Sequence, residues 1–81
     1  MKKNEYMAMI IKDYLKSLGK GTHTLTALEA RKLPGMDDYA ANSCYPNVCI
    51  AMDKVAKEYY VGTALNDHNQ SSTYAYEYIV K

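Results

Sequence analysis

Two cysteines, two histidines and a pair of adjacent aspartates are the side chains of this sequence with the most reactive chemistry. Cys44 and Cys49 stand at a C-x4-C spacing with no second pair and no histidine close by. Structural zinc takes four ligands, usually in two close pairs. The two sulfurs therefore read as small thiols, and a disulfide between them at the start of a helix would be strained. A cysteine paired with His68 would make a nucleophile, but nothing in the spacing brings such a pair together. His23 and His68 each lie in a polar stretch, where a lone histidine is solvated. Asp37-Asp38 lacks the ligand pattern of a cation loop. The glycines are scattered at turns rather than gathered into a phosphate cradle. A chain of 81 residues also offers little room for a deep pocket. No enzyme activity, metal or cofactor is expected.

The aromatic usage is unusual: nine tyrosines and no Phe or Trp. Every phenol needs water or a partner. This excess is read in two ways, as rings half-exposed on a binding or dimer face, or as compositional drift of a small mobile-element protein. The apolar content of 48% suits a globular chain. The length suits a single domain, 1–81. The net charge of +1 argues weakly against tight non-specific binding to nucleic acid. The charge is uneven: residues 1–32 carry +4 and residues 33–53 carry −3. A basic face is thus compatible with the near-neutral total. The start is amphipathic rather than a signal peptide, and no stretch is apolar enough to span a membrane. A cytoplasmic protein is expected.

Positions 7, 10, 11, 14, 15 and 18 (Met, Ile, Ile, Tyr, Leu, Leu) repeat at helical spacing. They predict a first helix over about 4–18, capped by Asn4 and stopped by Gly19. His23-Thr24-Leu25 is β-tolerant and available as an extra strand. Thr26-Ala-Leu-Glu29 matches a capping box and opens a second helix over about 27–33, with Leu28 and Leu33 inward, ended by Pro34-Gly35. Residues 36–45 fit either an extra helical turn or a loop. A third helix follows over about 44–58, with Ser43 as cap and Val48, Met52, Val55 and Tyr59 as its buried stripe. The period then changes to two. Residues 59–65 and 73–80 alternate around a polar, turn-prone link at 66–72, which predicts a hairpin over 59–80 with Tyr74, Tyr76, Tyr78 and Val80 on one face.

Helix, short strand, helix, helix, hairpin is the order of a winged helix. The stretch Ser43-Cys-Tyr-Pro-Asn-Val-Cys-Ile-Ala-Met-Asp-Lys-Val-Ala-Lys-Glu58 resembles the recognition helix of small winged helix-turn-helix regulators, and Thr26-Ala-Leu-Glu-Ala-Arg-Lys-Leu33 is similar to their second helix. The likeness is one of order and pattern over nearly the whole chain. It implies an α+β winged helix-turn-helix with a C-terminal β-hairpin wing, in a small regulator that could belong to a phage or mobile element. It further implies that the third helix enters the major groove. Asn47 would then face an adenine edge and Ile50 a thymine methyl. Lys54 and Lys57 would meet phosphates, Tyr45 would sit near the helix tip, and Arg31, Lys32 and Lys20 would add backbone contacts. The chain departs from the pattern in three places. The link at 34–43 is long, the wing at 59–80 has no Lys or Arg, and Asp53 lies beside the reading face.

The function expected from this resemblance is sequence-specific binding of double-stranded DNA in transcription regulation, by a dimer. The alternative for the third helix is a core helix with a solvated polar face. The alternative function is a protein–protein interaction module or small inhibitor. Its partner would meet the tyrosine strand at a sheet edge, where an exposed strand also pairs with a second copy, or the acidic segment 37–53.

Overall fold

The computed structural model describes residues 2–39, 45–65 and 74–81. Within them the fold is α+β, with three α-helices on a small antiparallel sheet. Helix α1 spans Lys3–Ser17, strand β1 Gly21–Thr26, helix α2 Ala27–Arg31, helix α3 Tyr45–Glu58, strand β2 Val61–Ala64 and strand β3 Ala75–Val80. A single 3-10 turn lies at Met36–Asp38. The expected cap Ser43, Cys44, His68 and the hairpin link fall outside the described residues. No described helix is long and apolar enough to cross a membrane.

Helix α1 forms because Met7, Ala8, Ile11 and Leu15 recur on one face, and that face is buried. Its start is one residue earlier than expected: Lys2 holds the N-cap position, so Asn4 lies inside the helix and does not cap it. Leu18 is exposed rather than inward, because the helix has already ended at Ser17. Gly19 follows in the left-handed region, φ 87°, which costs glycine no Cβ clash. The capping box opening α2 is complete. The Thr26 hydroxyl accepts from the Glu29 amide at 3.2 Å, and Glu29 Oε1 accepts from the Thr26 amide at 3.0 Å. Such a cap stabilises a helix start by about 1 kcal/mol. Helix α2 is shorter than its pattern. Ala27 and Ala30 turn inward and Leu28 is 41% exposed, which corrects the expected orientation of that leucine.

Strand β3 is the centre of the sheet, in the order β1-β3-β2, with both pairings antiparallel. Residues 21–26 thus supply the third strand that the β-tolerant segment offered. The tyrosine strand lies between two neighbours and not at an edge. The face it shares with Leu25 packs on the helices. Tyr74, Tyr78 and Val80 are buried, and Tyr76 packs partly buried against the same core. Gly62 sits opposite Tyr78, and a Cβ there would stand 2.8 Å from the Glu77 carbonyl oxygen, so only glycine fits. The core is completed by Met36 from the 3-10 turn and by Val48, Cys49, Ala51, Met52 and Val55 of α3. Each large side chain so buried contributes about 1.5–3 kcal/mol before chain entropy is counted.

Candidate nucleic-acid interface

Helix α3 is amphipathic. Val48, Ala51, Met52 and Val55 face the core. Asn47, Ile50, Lys54 and Lys57, three, four and three residues apart, fall within an arc of about 80° at 3.6 residues per turn. That arc lies away from the buried stripe. Lys57 and Ile50 are exposed, and Asn47 and Lys54 are half-buried. Tyr45, the first residue of α3, is half-buried and leans on the core.

Three hydroxyls, two from β3 and one from Tyr74 just before it, set the rotation of α3. Tyr78 Oη donates to the Met52 carbonyl at 2.7 Å. Tyr74 Oη and Tyr76 Oη both donate to Asp53 Oδ1, each at 2.7 Å. The period-two strand thus presents three phenols in a row to two consecutive helix residues. The rings also meet one another, with Tyr76 stacked on Tyr78 at 5.3 Å between centroids and Tyr74 edge-on to Tyr76 at 5.7 Å. Asp53, expected beside the reading face, is therefore turned to the sheet, where its charge is met by two donors. Its signal in the sequence was the choice of Tyr over Phe at alternating positions, since each buried phenol demands an acceptor.

These contacts hold the phenols in their neutral form. The pKa values of Tyr74, Tyr76 and Tyr78 are all raised above that of free tyrosine, first by burial. For Tyr74 and Tyr76 the hydrogen bond to Asp53 adds to the rise. Cys49 is pushed up to about 11, by burial and then by the nearby Asp53 charge, so it is a thiol and no nucleophile near neutral pH. The tyrosines imply an alkaline limit. Unfolded tyrosine ionises near pH 10, the folded ones only higher. Their contribution is complete below that unfolded value. It is lost above it, as the unfolded chain releases protons first. The urea midpoint is expected to fall as the pH rises beyond about 10, and to fall less in a Tyr74→Phe/Tyr76→Phe variant. Equal slopes in the two proteins would contradict this role.

The remaining expected contact residues are dispersed. Lys32 and Lys20 are exposed, at the end of α2 and in the turn before β1. Arg31 is held elsewhere: its Nη1 pairs with Asp37 Oδ1 at 2.6 Å, and its side chain is only 15% exposed. It ties the 3-10 turn to α2 rather than presenting a charge outward. Tyr59, expected in the buried stripe, is 40% exposed. It lies beyond the end of α3, where its amide closes on the Val55 carbonyl and Lys12 Nζ sits 4.5 Å from its ring centroid. Among the described residues no cluster of His, Cys, Asp and Glu could hold a metal ion. No family model, curated protein or solved structure matches the chain.

Proposed function

We propose that the chain is a sequence-specific DNA-binding regulator of winged-helix type, with α3 as recognition helix and β2–β3 as wing. The observation that carries this reading is the row Asn47, Ile50, Lys54 and Lys57 on the side of α3 away from its buried stripe, Ile50 and Lys57 exposed and Asn47 and Lys54 half-buried, on a helix whose other side is pinned to the sheet. The element order α1-β1-α2-α3-β2-β3 with sheet order β1-β3-β2 supports it. Asn47 offers an amide donor and acceptor to an adenine edge, worth about 1–3 kcal/mol of discrimination. Ile50 takes a thymine methyl. Lys54 and Lys57, helped by Lys32 and Lys20, neutralise phosphates. The wing has no Lys or Arg, so the positive field comes from the helices and non-specific affinity stays low.

The competing reading, a protein partner on the tyrosine strand, is weakened because that face is spent on α3. The test is selection from a pool of random duplex DNA at low and at moderate salt, followed by sequencing of the retained fraction. A defined site with salt-dependent retention is expected. No retention even at low salt overturns the proposal.

A further inference from the structure

Among the described residues strand β2 has one neighbour, β3, and its other edge is open. Short edges, charges and prolines are the usual guards against pairing with another chain. Val61-Gly-Thr-Ala-Leu65 has no charge and no proline, so brevity is its only guard. Val61 is 58% exposed and Leu65 51%.

The hydrogen-bond register says which backbone groups point outward. The Leu65 amide donates to the Ala75 carbonyl at 2.9 Å. In an antiparallel ladder, bonded and non-bonded pairs alternate. Leu65, Thr63 and Val61 therefore spend their backbone groups on β3, and the amides and carbonyls of Gly62 and Ala64 face the open side. A second β2 laid antiparallel about a two-fold axis at Thr63 sets Gly62 opposite Ala64 of the other copy, twice. Every outward group of the strand then finds its complement, in four hydrogen bonds. Val61 falls opposite Leu65 of the other copy, in a non-bonded pair where side chains approach closely. Val61 also borders an open hollow of about 300 Å³ with Tyr59, Tyr60, Ile79 and Lys81, beside which that second leucine would lie. Centring the axis on Gly62 or Ala64 instead sets Thr63 against Val61 or Leu65 and loses the apolar match.

We infer that the open edge of β2 is a homodimerisation surface, at which two copies join their sheets antiparallel about Thr63. The inference stands independently of DNA binding. If α3 does read DNA, the two-fold axis would make the preferred site palindromic.

Sedimentation of the whole chain without DNA, from micromolar to near-millimolar concentration, should show a monomer–dimer equilibrium. Ala64→Pro removes an outward amide that the β2–β3 ladder does not use. It should raise the dimer dissociation constant about ten- to a hundredfold, since the symmetric contact loses two hydrogen bonds, while the thermal transition of the monomer persists. Thr63→Cys should lock the dimer by a disulfide under mild oxidation, because the two residues meet across the axis. Val61→Cys alone should not, its two copies lying roughly 13 Å apart along the strands. Mixing Val61→Cys with Leu65→Cys should give the cross-linked pair. The unsubstituted chain, with Cys44 and Cys49, is run alongside. A monomer at every concentration, a dimer that Thr63→Cys does not lock, or an Ala64→Pro protein with unchanged dissociation constant overturns the inference.

Discussion

Replacing Lys54 and Lys57 together with glutamate is expected to lower affinity for the selected duplex by more than about a hundredfold. The double variant should keep the helical circular dichroism of the parent chain. Both side chains lie outside the buried stripe of α3, whose apolar core contacts come from Val48, Cys49, Ala51, Met52 and Val55. The size of the effect follows from charge. Two phosphate contacts are lost, and two carboxylates are set against the backbone where two ammonium groups had been. With a net charge of only +1 on the whole chain, no reserve of positive field compensates. Fluorescence anisotropy against the selected duplex over a range of salt reads this directly. The slope of log affinity against log salt should also shrink by roughly two. Unchanged affinity would remove α3 from the interface.

The second large effect is on stability. Asp53→Ala leaves Tyr74 Oη and Tyr76 Oη without the acceptor they share. Hydrogen bonds to an ionised group contribute about 1.5–3 kcal/mol each, and the pair shares one oxygen in a part-buried setting. A loss of about 2–4 kcal/mol is expected in urea denaturation. Asp53→Asn keeps an oxygen acceptor and should lose less. A double-mutant cycle of Asp53→Ala with Tyr74→Phe isolates the contact. The two changes should be clearly non-additive, since the phenol has no acceptor to lose once Asp53 is gone. Additive losses would mean that the observed bond contributes nothing.

The Asp53 cluster and the open edge of β2 share one origin in the fold. Strand β3 is central, so its edges are satisfied, and its tyrosines are directed at α3. On the sheet, the large apolar side chains left exposed among the described residues are Val61, Leu65 and Ile79. The sheet edge expected at the tyrosine strand is found one strand outward, at β2.

Local chemistry was enough for much of the architecture. The 3.6-residue repeat of Met7, Ile11 and Leu15, the Thr26–Glu29 capping box, the stop at Gly19 and the change to period two after α3 each depend on neighbours a few residues away. They could be read from the order of residues and hold in the fold. The side chains misplaced by pattern lie at element ends. Leu18, Leu28 and Tyr59 continue a periodicity after the backbone has left it or where two alanines suffice for the contact. Arg31 was legible as a charge, but its partner Asp37 depended on how the 3-10 turn folds back. Tertiary structure alone decided which strand is central and, separately, whether the three phenols face water or α3. The strand order is set by contacts between residues 21–26 and 75–80, more than fifty positions apart for most of the ladder. Period-two alternation specifies that a strand has two faces, and only the packing of helices on the sheet says which of them is buried.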